Sequence, residues 1–190
     1  MKEENIKNKK EDSLLSVIWD WVKTIIIALA ITFFVKSFII DATIVSGKSM
    51  LNTLHDGDWL MVNKIGKHFR DFHRGEIVII NAPDFPNRLY VKRVIGTPGD
   101  LVELRNGGVY VNGEKLEEKY VSVDETPAKT DQTGWVLGDD EYLVFGDNRT
   151  NSNDSRDFGQ IYKQEIVGHA FLRIYPFSDA GLIDNHPYDK

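Results

Sequence analysis

The sequence predicts a mainly β protein, in which one N-terminal transmembrane helix precedes an all-β extracytoplasmic domain built from antiparallel sheets. Two observations lead to this prediction. The run Trp21–Ile40 is apolar enough to enter a bilayer, and short runs rich in Val, Ile, Tyr and Phe alternate with turn signals after residue 41. No long amphipathic helix pattern and no internal repeat follow. The chain of 190 residues therefore divides into a tail at 1–18, an anchor at 19–40 and a β-rich domain at 41–190.

The apolar run is interrupted only by Lys23 and Lys36. As a helix it would span about 30 Å, which matches the hydrocarbon core of a bilayer. A cleaved signal peptide is one alternative, but the run has no small-x-small exit and continues with bulky residues. A buried core helix is the other, and it would need a partner on every face. A membrane anchor is the interpretation that fits best.

Lysines also predict the orientation of this anchor. More of them precede or open the span than follow it, so the positive-inside rule places the polar tail in the cytoplasm and residues 41 onward outside. The lysines on the cytoplasmic side are Lys2, Lys7, Lys9, Lys10 and Lys23, and those that follow are Lys36 and Lys48. The expected location is a cell membrane, with a single pass, and we expect residues 1–18 to be a mobile tail.

Seven short runs after the anchor predict strands, at 59–65, 76–81, 89–95, 101–105, 109–113, 142–146 and 166–177. The stretch "LRNGGVYVNGEKL" predicts a β-hairpin followed by a second tight turn. The polar stretch "VSVDETPAKTDQTG" at 121–134 predicts a surface loop. Several aromatic residues could form a surface that dips into lipid, or could equally be core and hairpin packing. They are Trp59, Phe69, Phe72, Phe85 and Trp135.

Composition excludes several classes of function. The chain has no cysteine, which rules out a thiol nucleophile, a disulfide framework and a thiolate metal site. The formal net charge is -6 and the basic residues are not gathered into a stripe, so no nucleic-acid partner is expected. No H-E-x-x-H motif is present, and no metal or cofactor is implied.

Ser49, in "VSGKSMLNTL", raises the question of a nucleophile, because a serine hydroxyl needs a neighbouring base to remove its proton. Nothing in the sequence marks any of the five histidines as that base. Lys92, in "RLYVKRVIG", is the best alternative, since burial among apolar residues would lower its pKa. Strand alternation places Lys92 and Arg93 on opposite faces. An edge strand with both cations solvated is the simpler interpretation, and the pattern alone leaves both open.

The stretch "GDNRTNSNDSRDFG" at 146–159 concentrates charged and polar residues at the end of a predicted strand. One interpretation is a solvated turn with local Asx caps. The other is a hydrogen-bonded group that fixes a site. Composition alone favours the turn.

Taken together, these three stretches resemble the type I signal peptidases (leader peptidases), membrane-anchored Ser/Lys proteases, in the short single-span form found in Gram-positive bacteria. The family motif G-x-S-M-x-P-T-L is similar to "GKSMLNTL" at 47–54, and Y-V-K-R-x-x-G-x-P-G-D to "YVKRVIGTPGD" at 90–100. The motif G-D-N-x-x-x-S-x-D-S-R is matched at 146–156. Asn52 departs from the family proline, and we expect this to alter the rigidity of the loop.

The resemblance implies a role for each matching residue. Ser49 would be the acylating nucleophile, Lys92 the general base, and Ser152 the group that orients the lysine amine. Arg93, Asp147, Asp154 and Arg156 would form ionic supports. The substrate pocket would be lined by Val45, Met50, Leu54, Tyr90 and Val91. The Ser49 N–H would help bind the oxyanion, and Gly47 lacks the hydroxyl that supplies a second donor in some relatives.

The implied activity is the removal of signal peptides from exported preproteins by a membrane-bound, monomeric serine endopeptidase that forms an acyl-enzyme. The chain itself limits the place of cleavage, because Ser49 follows the anchor by too few residues to lie far from the membrane surface. Two alternatives stay open. One is a catalytically dead, membrane-tethered β module that binds exported chains. The other is a Ser/Lys protease of the self-cleaving repressor type, which the anchor disfavours.

Overall fold

The structure, a computed structural model, describes residues 2–185 and 188, with side chains described at 16–33, at 36 and from 39 onward within that range. The chain divides into two units, one ending at Ile39 and one beginning at Ile40. The first unit is a single helix, α1 (Lys2–Phe38). Its stretch Ser16–Phe33 has a mean hydropathy of 1.6 and none of it is buried within the protein. Among the described residues this is the helix with the length and composition to cross a membrane.

The segment predicted as a tail, residues 1–18, is helical from Lys2 onward. Its many Glu and Lys residues are good helix formers, so nothing in the local sequence ends the helix before the apolar stretch. The apolar helix predicted from the sequence is confirmed. Its last helical residue is Phe38, two residues before the predicted end of the anchor at Ile40.

The second unit is mainly β, as predicted, and every strand pair is antiparallel. The described residues form twelve strands: β1 (Ile40–Ile44), β2 (Trp59–Asn63), β3 (Ile77–Asn81), β4 (Leu89–Gly96), β5 (Leu101–Arg105), β6 (Gly108–Val111), β7 (Glu114–Lys115), β8 (Gly134–Val136), β9 (Glu141–Phe145), β10 (Ile161–Tyr162), β11 (Ile166–Tyr175) and β12 (Gly181–Leu182). A one-turn helix, α2 (Ser155–Phe158), follows β9, and short 3-10 helices lie at Ile65–His68, Lys163–Glu165 and Phe177–Asp179.

These strands form two sheets. The larger has the order β1-β2-β11-β3-β4-β9-β10, with β12 paired to β11, and the smaller has the order β7-β6-β5-β8. Strand β4 therefore lies inside the larger sheet, hydrogen-bonded on both sides, with Lys92 opposite Val78 of β3 and Arg93 opposite Phe145 of β9. A strand in this position hides its side chains from solvent wherever both faces of the sheet are covered.

Three groups of buried apolar side chains make the core. One lies between the two sheets and includes Trp135 and Phe145. A second includes Phe72 and Tyr142, whose rings pack edge to face with centroids 5.9 Å apart. The third, made of Val45, Met50, Leu54, Leu60, Ile77 and Ala170, lies beneath the loop that carries Ser49. The core therefore supports that loop directly.

The predicted hairpin is confirmed, with β5 and β6 joined through Asn106 and Gly107, and the second turn passing through Asn112 and Gly113. All four of these residues have positive φ, which tight hairpin turns of this type require. The proposed lipid-facing surface is wrong for Phe72 and Trp135, since both are buried in the core. Trp59, Phe69 and Phe85 are exposed.

Candidate active site

Ser49 lies in the loop between β1 and β2, and it is half-buried. Gly47 precedes it with φ of 103°, a conformation that favours glycine, and its N–H donates to Asp56 Oδ1 at 2.7 Å. A tight turn follows, in which the N–H of Leu54 donates to the carbonyl oxygen of Met50 at 2.8 Å. Because Met50 and Leu54 are buried in the core, the turn has little freedom to move. The loop is therefore held in place both before and after Ser49.

Lys92 reaches Ser49 from strand β4. Its Nζ donates to Ser49 Oγ at 2.9 Å, and it also lies 5.1 Å from the centre of the Tyr90 ring. The Lys92 residue is only 2% exposed. A hydroxyl and an amine at this distance can exchange a proton directly. The sequence left open an edge strand with solvated cations; the structure excludes it, because β4 is an interior strand and Arg93 is only 1% exposed.

Burial is the main reason that the pKa of Lys92 falls from its ordinary value of 10.5 to about 8. The carboxylates of Asp154 and Asp147 act in the other direction, and the charges of Lys129 and Arg156 add to the lowering. A lysine with this pKa is neutral in an appreciable fraction of molecules near neutral pH. It can therefore accept a proton, which an ordinary surface lysine cannot do.

Arg93 points to the other face of β4 and forms a buried ion pair with Asp147. The guanidinium binds both carboxylate oxygens: Nε donates to Oδ1 at 2.9 Å, and the terminal nitrogen Nη2 donates to Oδ2 at 2.7 Å. Thr53 Oγ1 donates to the same Asp147 Oδ2 at 2.5 Å. Burial opposes the charge of Arg93. The hydrogen bonds that Arg93 donates to Asp147, and the negative charge of Asp147, nevertheless raise the pKa of Arg93 overall. This pair joins β4, the Ser49 loop and the residues after β9.

A second buried ion pair lies close by. Asp154 accepts from Arg156 Nε at 2.8 Å and from its terminal nitrogen at 2.7 Å, and also from the Gly146 N–H at 3.0 Å. Burial would raise the pKa of Asp154, but its bonds with Arg156 and Gly146 lower it. Asp154 also begins α2 as part of a capping box with Asp157. The chain after β9 is thereby fixed in one path.

That path brings the third motif against the Ser49 loop. The Asn148 N–H donates to the Ser49 carbonyl oxygen at 3.0 Å, and its side-chain amide donates to the Lys48 carbonyl oxygen at 3.0 Å. Gly146 lies so near that an added Cβ would fall 2.5 Å from the Ser49 carbonyl oxygen. Only glycine fits there. The residues after β9 therefore form a hydrogen-bonded support, and the solvated turn that composition favoured is wrong.

The structure brings six of the seven predicted catalytic and supporting residues together in the contacts described above, and the seventh, Ser152, lies against Gly146. Ser152 is buried; its Oγ lies close enough to Asp154 to help lower the pKa of that carboxyl, but it makes no hydrogen bond of good geometry with Lys92. Of the predicted pocket residues, Val45, Met50 and Leu54 belong to the core cluster beneath Ser49, with Val91 packed against it. Tyr90 packs against the neighbouring cluster. Whether these residues contact substrate stays a prediction.

Sequence reasoning missed one further buried group. Arg149 donates to both oxygens of Glu118, at 2.9 and 2.5 Å, and to Thr126 Oγ1 at 2.7 Å. Its Nε donates to the Gly146 carbonyl oxygen at 3.0 Å. Arg149 occupies a variable position of the third motif. Of its partners, Thr126 lies in the predicted surface loop at 121–134, and Glu118 lies just before that loop. No local signal linked them.

Comparison with known proteins points to one family. The sequence profile described as "Signal peptidase, peptidase S26" matches residues 18–175. Signal peptidase I of Bacillus amyloliquefaciens is 40% identical over 187 residues, covering 94% of this chain and 97% of the relative. Signal peptidase I S of Bacillus subtilis is 39% identical over 188 residues, covering 94% of this chain and 97% of the relative. The crystal structure of a signal peptidase I from Enterococcus faecalis aligns with a TM-score of 0.46 and 29% identity, over 53% of this chain and 97% of that one.

The Asn52 backbone generates a first prediction. Its φ is 80°, whereas the φ of proline is fixed at about −65°. We expect Asn52→Pro to lower the free energy of unfolding by about 1–3 kcal/mol, because the turn after Ser49 must rearrange. Urea unfolding of the full chain in detergent micelles measures the change. Asn52→Gly, which accepts positive φ, is the control and should stay close to wild type. A proline variant as stable as wild type would contradict the prediction.

The burial of Lys92 generates a second prediction. Its pKa is about 8 in the folded chain and 10.5 in the unfolded one, so the unfolded state binds more protons between these values. The resulting destabilisation, about 3 kcal/mol, is fully present below pH 8 and disappears as the pH rises towards 10.5. We therefore expect Lys92→Met to be the more stable protein at pH 7, with an advantage that shrinks as the pH is raised. Urea titrations at several pH values measure this.

Exposed Lys119 supplies the matched control for that experiment. Lys119→Met should change the free energy of unfolding by less than about 0.5 kcal/mol at every pH, because the side chain is solvated in both states. Equal effects of the two substitutions, or a Lys92→Met advantage that does not depend on pH, would show that the burial of charge is not the cause.

Proposed function

The chain belongs to the type I signal peptidase family, which is a family of serine peptidases, and we propose that it removes signal peptides from exported preproteins with Ser49 as nucleophile and Lys92 as general base. The observation that carries the proposal is the 2.9 Å hydrogen bond between Lys92 Nζ and Ser49 Oγ, together with the burial of the lysine. Both groups belong to one chain, so we propose that a monomer is sufficient.

In the acylation step, neutral Lys92 removes the Ser49 proton as Oγ attacks the scissile carbonyl carbon. The carbonyl oxygen becomes an oxyanion, which we propose accepts a hydrogen bond from the Ser49 N–H. The tetrahedral intermediate collapses when the Lys92 ammonium gives its proton to the leaving nitrogen. The new N-terminus of the mature protein departs, and the signal peptide stays attached to Ser49 as an ester.

In the deacylation step, Lys92 is neutral again and removes a proton from a water molecule that attacks the ester carbonyl carbon. The second tetrahedral intermediate breaks its bond to Ser49 Oγ, which recovers a proton from Lys92. The signal peptide leaves as a carboxylic acid, which loses its proton to solvent, and the site returns to its starting state. Every proton that Ser49 gives up or takes back in this cycle passes through the Lys92 amine, which is why a pKa of about 8 matters.

The other predicted residues support this cycle without taking part in the bond changes. We propose that the Arg93–Asp147 and Arg156–Asp154 pairs fix the chain on either side of the dyad, and that Ser152 orients the amine when substrate is bound. Val45, Met50, Leu54, Tyr90 and Val91 are proposed to line the pocket. The first three are packed in the core, which suits a shallow pocket with a rigid floor.

We also propose that α1 anchors the enzyme, with residues 1–18 in the cytoplasm and residues 41–190 outside. The apolar, unburied stretch Ser16–Phe33 and the excess of lysines before it support this orientation. Protease added to sealed cells from which the wall has been removed should reach the β domain and leave a protected N-terminal fragment. Protection of the whole β domain would overturn the orientation.

Cleavage of a labelled preprotein tests the dyad. We expect Ser49→Ala and Lys92→Ala to lower the rate by about 10³-fold or more, because either change removes the nucleophile or its base. Lys92→Arg should be equally inactive, since a guanidinium does not become neutral at any usable pH. The full chain is assayed in liposomes or detergent, with release of the signal peptide measured on gels and the cleavage site by mass spectrometry.

Exposed Ser122 and Lys119 provide controls of the same residue types. Ser122→Ala and Lys119→Met should cleave at the wild-type rate. Substantial cleavage by Ser49→Ala or Lys92→Ala would remove the proposed dyad. A folded wild-type chain that cleaves no preprotein would instead favour the membrane-tethered binding module.

A further inference from the structure

The segment predicted as a surface loop does not simply face solvent. Residues 118–130, which begin just before that segment and include most of it, run alongside the third motif and contact it repeatedly. Besides the bonds from Arg149 to Glu118 and Thr126, Arg156 donates to the Pro127 carbonyl oxygen at 3.1 Å. We name residues 118–130 the strap. It has no helix or strand of its own, so these side-chain contacts decide its path.

Lys129 makes the strap contacts with the residues around the Asp154–Arg156 pair. Its Nζ donates to the carbonyl oxygen of Ser152 and, at 2.6 Å, to Asp157 Oδ2. Asp157 is the capping-box partner of Asp154, and Ser152 lies two residues before Asp154. One ammonium group therefore bridges the residues on both sides of the Asp154–Arg156 pair. The Lys129 side chain is 21% exposed, so it is largely shielded from solvent.

Lys129 also acts on Lys92 through its charge. Burial is the largest cause of the low pKa of Lys92, and Lys129 is the strongest of the cations that add to it. Among the charges with the largest effects there, Asp154 and Asp147 favour the protonated amine, and Lys129 and Arg156 oppose it. Each of those two carboxylates is already bound to an arginine. The charge of Lys129 therefore adds to the effect of burial on Lys92.

We propose that Lys129 is a positioning residue for the reaction. It fixes the main chain at Ser152, and it adds its positive charge to that of Arg156 near Lys92. The base is therefore neutral over more of the working pH range. This inference rests on the proposed function of the Ser49 and Lys92 pair. It assigns Lys129 a role that the three family motifs do not contain, because this residue lies outside all of them.

The experiment compares the pH dependence of kcat and kcat/KM for wild type, Lys129→Met and Lys129→Arg, with Lys119→Met as the control. In wild type the activity should rise with pH through about 8, as Lys92 loses its proton. Without the Lys129 charge the protonated form of Lys92 is favoured, so the rise should move to higher pH. We expect kcat below the midpoint to fall about threefold or more in Lys129→Met, with KM little changed.

Lys129→Arg keeps the positive charge and should retain the wild-type midpoint, whereas a purely structural role would not separate Met from Arg in this way. Thermal unfolding checks that all variants are folded. A Lys129→Met profile with the wild-type midpoint would overturn the proposal, whatever its maximal rate. So would an arginine variant with the same displaced midpoint as the methionine variant.

A second readout does not depend on cleavage. Trace acetic anhydride labels neutral amines, so labelling of Lys92 against pH, followed by mass spectrometry, reports its titration in each variant. We expect the midpoint to rise in Lys129→Met and to stay unchanged in Lys119→Met. If wild type cleaves nothing but this shift occurs, the proposed function fails and the influence of Lys129 stands. If wild type cleaves and no shift occurs, only the role of Lys129 fails.

Discussion

The removal of one ammonium group from water is the constraint on which this structure depends. Lys92 can act as a base only if its charged form is made unfavourable, and an interior strand covered on both faces does that. The same burial would allow a nearby carboxylate to restore the charge by pairing with the lysine. Asp147 and Asp154 are both close enough to raise its pKa. Each is instead bound through both oxygens to an arginine, Arg93 or Arg156. The arginines thus keep the carboxylates occupied and leave the amine to the serine.

These ion pairs also explain why three distant parts of the chain meet with little freedom. Breaking a buried pair by removing one partner leaves an uncompensated charge, which costs about 3–5 kcal/mol. Asp147 binds Arg93 of β4 and Thr53 of the serine loop together, so its position fixes both. The position of Ser49 relative to Lys92 is therefore a consequence of charge pairing as much as of apolar packing. The contact between Ser49 and Lys92 and the ion pairs around it depend on one another.

Much of this arrangement could be predicted from the sequence, and the limits of the prediction are physical. Strand alternation placed Lys92 and Arg93 on opposite faces of β4, and three motifs in order identified the family. Periodicity could not say that β4 is interior, because its second neighbour, β9, comes from a remote segment. The bond between Glu118 and Arg149 and the contact of Lys129 with Ser152 have no local pattern. Strand β1 was hidden because it continues the apolar run of α1, and β8 because it is short and follows a polar stretch.

The adjacency of Lys92 and Arg93 on one strand has a consequence for how the chain can change over evolutionary time. Successive residues of a strand face opposite sides, so an insertion or deletion of one residue within Leu89–Gly96 would exchange the two cations. A permanently charged guanidinium would then face the serine, and an amine would face Asp147. The connection between β3 and β4, where Phe85 is exposed, can change in length without moving Lys92 or Arg93 to the opposite face, provided that the pairing of β4 is kept. Descendants of this sequence can therefore vary that connection in length while the strand beside it keeps a fixed number of residues.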